Sequence, residues 1–130
     1  MKVYIAAPWV RKQDAIKAGK KFEEAGFTVV SRWFDHEGNP NDSTGAMSPD
    51  DDVQHQAIED MNDVKSADYL VVLNLEKSEG KAVETGIALS YQIPFICVGP
   101  RSNIFQILGN GMFESVEAAI EFLQVANPAA

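Results

Sequence analysis

Apolar residues along this chain fall into short runs separated by stretches with helical spacing. Residues 2–7 (KVYIAA) set apolar side chains next to one another instead of alternating them. That is the pattern of a strand covered on both faces, and Pro8 closes it. Ala15, Ile16, Ala18, Gly19, Phe22 and Ala25 recur at three- and four-residue steps, which predicts a helix over 12–25 that Gly26 stops. The β-branched run 27–31 (FTVVS) predicts a second strand. Residues 35–52 are rich in Gly, Pro, Asn, Asp and Ser and predict a long loop, of the kind that serves as a lid or moves. Ser48-Pro49-Asp50 marks a helix start, and the helix runs to Ser66 with Val53, Ala57, Met61 and Val64 on one face. Residues 69–74 (YLVVLN) give the strongest strand pattern. A helix follows over 81–91, just after Gly80, and then a strand over 94–98 (PFICV). Gly109-Asn110-Gly111 predicts a turn, Met112-Phe113 is a candidate short fifth strand, and 115–125 forms a closing helix.

Strands alternating with helices predict an α/β fold with a four- to five-stranded parallel sheet, right-handed crossovers and helices on both faces. The 130 residues correspond to one domain over 1–126 with a frayed tail at 127–130. In such sheets ligands bind outside the carboxyl ends of the strands. The places to search are therefore those after Ala7, Ser31, Asn74 and Val98.

Charge narrows the partners. The net charge is −8, from 19 acidic and 11 basic residues. Nine of the acids (Asp35, Glu37, Asp42, Asp50, Asp51, Asp52, Glu59, Asp60, Asp63) lie in residues 33–64, which hold no Lys or Arg. The rest of the chain carries ten acids against eleven bases, so the acidity belongs to one segment. A basic face for a nucleic-acid polymer is missing, and a free nucleoside or nucleotide remains compatible. No apolar run approaches the ~20 residues of a membrane span. The opening MKVYIAAPW breaks at Pro8-Trp9, before the ~7–15-residue apolar stretch of a signal peptide is reached. With a single cysteine, Cys97, the expectation is a cytoplasmic protein.

Several side chains carry candidate chemistry. Glu84 falls about one turn into the helix after the third strand, where the positive end of the helix dipole favours an ionised carboxylate, a nucleophile toward a sugar carbon. The competing reading is an acid that merely favours the helix start. Asp60 and Asp63 are neighbours on one helix face, and Asp68 opens the third strand; each also reads as a solvated or capping acid. Tyr4 lies inside the first strand, by default a core aromatic with a hydrogen-bonded hydroxyl. Trp9 and Trp33 follow strands and can stack on a base or simply pack. Arg11, Arg32, Lys77, Lys81 and Arg101 lie near the same ends, as surface charge or as attraction for a phosphate. His36 and His55 have no third ligand at metal spacing, so no metal or other cofactor is expected. Cys97 sits in an apolar strand with nothing to lower its pKa.

The opening Tyr4-Ile-Ala-Ala-Pro8, the segment Asp60-Met-Asn-Asp-Val-Lys-Ser-Ala-Asp68, the apolar strand after it, and Ser78-Glu-Gly80-Lys-Ala-Val-Glu84-Thr-Gly86-Ile-Ala-Leu together resemble the nucleoside 2-deoxyribosyltransferase superfamily, which includes the deoxynucleoside 5′-monophosphate N-glycosidases. The resemblance spans residues 2–113 and implies a flavodoxin-like (Rossmann-like) three-layer sandwich that assembles as a homodimer or larger, with shared sites. It implies cleavage of the N-glycosidic bond of a 2′-deoxynucleoside or its 5′-monophosphate. Glu84 matches the nucleophile, Asp60 the aspartate that helps protonate the leaving base, and Tyr4 the tyrosine that orients the nucleophile. Pro8, Trp9, Arg11, Trp33, Ser78, Gly80 and Asn103 are the expected substrate contacts; the resemblance puts Asn103 near a position that reaches the 5′ end bound to a neighbouring subunit.

The sequence also departs from the transferases. They carry an acid six residues before the nucleophile, where this chain has Ser78; the monophosphate N-glycosidases have serine there. A serine donates to a phosphate that a carboxylate would repel. Against that, those N-glycosidases place a serine in the loop after the first strand, where this chain has Pro8. The expected activity is hydrolysis of the N-glycosidic bond. Base exchange through the same glycosyl-enzyme is the alternative, and a non-catalytic nucleotide-binding module is a third reading.

Overall fold

A computed structural model describes residues 1–36, 42 and 44–127. Its strands are β1 (Lys2–Ala6), β2 (Thr28–Val29), β3 (Tyr69–Leu73), β4 (Phe95–Val98) and β5 (Met112–Phe113). Its helices are α1 (Lys12–Glu24), α2 (Asp50–Ser66), α3 (Glu79–Ser90) and α4 (Val116–Ala126). Short 3-10 turns cover Trp9–Arg11, Trp33–Asp35 and Ile104–Leu108.

All four strand pairings are parallel, in the order β2-β1-β3-β4-β5. The helix α1 packs with α4, and α2 packs with α3. This is the doubly wound order that reverses direction between β1 and β3. The apolar runs become the three central strands because both of their faces are covered: Val3 to Ala6, Leu70 to Leu73 and Phe95 to Val98 are all buried. The expected fifth strand is present, two residues long and at the edge.

Several boundaries move for identifiable reasons. The second strand shrinks to two residues. Beyond it, the edge is carried by Val30 N–H donating to Val3 O and Ile5 N–H donating to Ser31 Oγ. Gly26 ends α1 with φ +96°, a backbone state that suits glycine. Ser78 caps α3 by accepting from Lys81 N–H, so the helix begins at Glu79 and not at Lys81. Ser115 caps α4 in the same way, from Ala118 N–H. Gly109 lies against the core, where an added Cβ would sit 2.7 Å from Phe95 Cε2. Asn127 N–H donates to Leu123 O, whereas the rest of the expected frayed tail, 128–130, lies outside the described residues, as do 37–41 and 43 of the expected long loop.

The helix α2 differs most from expectation. Val64 is buried and Val53 half-buried, but Ala57 and Met61 face outward. The inward side carries Glu59, Asp60 and Asp63 alongside Val64, so this helix turns carboxylates toward the sheet. Apolar periodicity cannot register such a face.

Candidate active site

Three elements that flank the switch between β1 and β3 bring side chains together. β1 supplies Tyr4, fully buried. The helices α2 and α3, which lead into and out of β3, supply Asp60 and Glu84, both partly buried. The Tyr4 hydroxyl donates to Glu84 Oε2 across 80 residues of sequence. Asp60 Oδ1 is buried and has no hydrogen-bond partner among the described residues.

Burial dominates the electrostatics. It pushes the Glu84 carboxyl up to about 8; the Tyr4 hydrogen bond opposes this and the charge of Asp60 adds to it. Burial, followed by the charges of Asp63 and Glu59, raises Asp60 to about 7, with Arg32 opposing. Tyr4 is raised well above its ordinary value by burial and then by Glu84 and Asp60. The helix-dipole expectation for Glu84 is therefore corrected. The early start of α3 places Glu84 in the second turn, where the dipole has faded, and desolvation favours the protonated form. The two carboxyls thus titrate around neutrality while the Tyr4 phenol keeps its proton, a setting suited to one nucleophile and one general acid.

Asp63 is not on a solvated face. It is 5% exposed and accepts from Arg32 three ways: the backbone N–H at 3.1 Å, Nε at 3.1 Å and Nη2 at 2.6 Å. Asp68 stands apart from the site, where Oδ2 accepts from Lys2 N–H at 2.8 Å. Lys81, read from sequence as surface charge or as attraction for a phosphate, is 2% exposed. Its ammonium donates to Asn74 Oδ1 and Glu76 O, and burial lowers its pKa. Asn74 and Gln106 exchange hydrogen bonds beside it, and Ser102 N–H and Oγ join them, tying the end of β3 to the loop after β4. The sequence carries no signal for this knot, because its members lie far apart along the chain. Cys97 is buried, and burial raises its thiol to about 11, in keeping with an inert residue.

The expected substrate contacts divide. Ser78 caps α3, and Gly80 follows in its first turn, where an added Cβ would meet only Ser78 Oγ at 3.8 Å. Packing within the chain therefore does not require a glycine at 80. Pro8 is buried at the entry to the Trp9–Arg11 turn. Trp9 is half-buried, its ring 5.9 Å from that of Trp33. Trp33 is 5% exposed, stacks edge-on against Phe34 and donates its indole N–H to Ile5 O, so its ring sits in the core. Arg11 pairs with Asp14 at 2.7 Å. Asn103 caps the Ile104–Leu108 turn through Phe105 N–H and lines a shallow cleft of about 370 Å³ with Arg101, Ser102, Ile104 and Ile107. None of Tyr4, Asp60 and Glu84 lines that cleft. Arg32, Glu59, His36 and His55 converge without forming a metal-ligand group among the described residues.

No protein-family model and no curated protein matches the chain. No helix among the described residues is long and apolar enough to cross a membrane. Solved structures do match. A 2-deoxyribosyltransferase from Bacillus psychrosaccharolyticus is 18% identical with a TM-score of 0.69, covering 92% of this chain and 90% of that one. A conserved protein from Enterococcus faecalis V583 is 17% identical with a TM-score of 0.70, over 97% and 98%. The Clostridium botulinum CMP N-glycosidase BcmB is 18% identical with a TM-score of 0.57, over 96% and 99%. In its five-stranded parallel sheet and flanking helices, this chain shares the α/β fold of these structures, a 2-deoxyribosyltransferase and a CMP N-glycosidase among them.

Proposed function

We propose that this protein hydrolyses the N-glycosidic bond of a 2′-deoxynucleoside 5′-monophosphate or 2′-deoxynucleoside. The observation that carries the reading is the Tyr4 hydroxyl bonded to the Glu84 carboxyl, with Asp60, whose Oδ1 has no hydrogen-bond partner among the described residues, beside them at the switch point of the sheet. The shared fold with a 2-deoxyribosyltransferase and a CMP N-glycosidase supports it.

In the first step a Glu84 oxygen bonds to C1′ as the C1′–N bond breaks. The base leaves with the bonding electrons and takes a proton from Asp60. Tyr4 orients the attacking carboxylate and favours its anion. In the second step a water oxygen bonds to C1′, the Glu84 ester breaks, and the proton of the water returns to Asp60. Trp9, Arg11, Gly80 and Asn103 are assigned to substrate binding with Ser78, whereas Pro8 and Trp33 are buried. Ser78 Oγ accepts from Lys81 N–H, so its own hydrogen is available to a 5′-phosphate oxygen.

The same intermediate met by a second base would make the protein a transferase, and the fold shared with the deoxyribosyltransferase favours that second reading. We further assign it a homo-oligomeric state. Ile104, Phe105, Ile107 and Leu108 are 59–76% exposed next to Asn103, which supports a second copy covering this side. Analytical ultracentrifugation tests the assembly.

The activity is tested by incubating deoxynucleosides and their monophosphates with and without a second free base. Free sugar or sugar phosphate without acceptor establishes hydrolysis, and exchange alone establishes transfer. Saturable binding with no base release establishes a binding module. Glu84→Gln abolishes release if the mechanism holds.

A further inference from the structure

Three consecutive residues at the exit of β2 tie together the two elements that carry Tyr4 and Asp60. Ser31 Oγ accepts from Ile5 N–H at 3.1 Å, and the Trp33 indole donates to Ile5 O at 2.7 Å, so both grip β1 at the residue after Tyr4. Between them, Arg32 reaches α2. It holds Asp63 through its backbone N–H, Nε and Nη2, and its Nη1 lies 3.6 Å from Glu59 Oε2. Asp60 stands between these two carboxylates on the same helix. Ordinary surface ion pairs contribute little to stability. This one differs, because the carboxylate is buried and the guanidinium approaches it along its fork.

We propose that Arg32 is a positioning residue: by clamping Glu59 and Asp63 to the exit of β2, it fixes the place and the charge surroundings of Asp60 relative to the Tyr4–Glu84 pair. The inference rests on the N-glycosidase reading for its catalytic consequence, but the clamp itself is a property of the fold. The charged and titratable groups around Asp60 are Glu59 and Asp63 on its own helix, Arg32 from the exit of β2, Tyr4 from β1 and Glu84 from α3. One step further out, His36 and His55 face Glu59 at 3.3 and 3.6 Å. Arg32 is the cation that opposes the carboxylates there, and Asp63 is the strongest of the anions that act against it.

The test is a pH titration of the Asp60 carboxyl by 13C NMR in the full-length protein, assigned with Asp60→Asn. It is run on wild type, Arg32→Ala, Arg32→Lys and Asp63→Asn, with base release measured on the same samples. Arg32→Ala moves the Asp60 midpoint to higher pH, and Asp63→Asn moves it lower. Arg32→Lys keeps the charge but loses the fork, so the midpoint stays near wild type while kcat falls about 10- to 100-fold with little change in KM. An Asp60 midpoint that stays put or falls in Arg32→Ala overturns the proposal, as does full kcat in Arg32→Lys. If Arg32→Ala does not fold, the other two variants decide. If wild type releases no base from any nucleoside or nucleotide, the N-glycosidase reading fails, and the titrations still decide the clamp.

Discussion

Replacing Glu84 by glutamine removes a charge that the fold is poorly built to hold. Burial raises the Glu84 carboxyl from 4.5 to about 8. In the unfolded chain the same group ionises near the ordinary glutamate value. Between those two pH values the folded protein keeps a proton that the unfolded chain has released. The favourable contribution is therefore complete below the ordinary value and is lost as pH rises, levelling off above about 8. Each tenfold change in proton affinity corresponds to about 1.4 kcal/mol, and the partial contact of Glu84 with solvent trims the total to roughly 2–4 kcal/mol. Glutamine has nearly the same shape, still accepts from the Tyr4 hydroxyl and never ionises. Urea unfolding followed by Trp33 fluorescence, a ring 5% exposed in the folded state, measures the difference. Glu84→Gln should gain roughly 1 kcal/mol or less over wild type at about pH 5 and roughly 2–4 kcal/mol at about pH 8.5, on top of any constant offset. A difference that does not change with pH would show that Glu84 is hydrated in the folded state and would refute the burial argument. The same variant should lose base release, so the carboxyl that costs stability is the one assigned to the chemistry.

Further outcomes follow from the same geometry. Base release should be bell-shaped in pH. It peaks between about 7 and about 8, where the pair shares one proton, and falls below, where both carboxyls hold protons, and above, where neither does; a profile flat from about pH 5 to about pH 10 rejects the pairing. Tyr4→Phe removes the bond that favours the Glu84 anion, so the alkaline limb of the rate profile should move to higher pH and the peak rate should fall, with roughly 1 kcal/mol lost in urea unfolding. Gly109→Ala forces a methyl against Phe95 and should cost about 1–3 kcal/mol with catalysis at the carboxyl cluster unchanged, checked by unfolding and base release together.

The fold was legible because parallel strands buried on both faces leave uninterrupted apolar runs, as at Tyr69–Leu73, and because the crossovers leave helical spacing between them. Glu84 and Asp60 stand out one by one as helix acids and Tyr4 as an aromatic inside a strand. Their meeting was visible only through resemblance, since 80 residues separate Tyr4 from Glu84. Three features were not readable. The inward face of α2 is made of carboxylates, so its apolar periodicity pointed to Ala57 and Met61, which face outward. The partners of Asp63 and Lys81 lie on other elements, and a charged residue without its partner reads as surface. The protonation of Glu84 depends on depth of burial, which helix position alone does not reveal.

The two outermost strands, β2 and β5, are each only two residues long. An edge that short offers an incoming chain almost no row of free N–H and C=O groups to pair with, so this sheet cannot grow by recruiting strands from its neighbours. Copies of the protein that associate must do so through side chains on helices and turns. Such contacts can be weakened or re-specified one substitution at a time, without placing the sheet itself at risk of running on into a fibre.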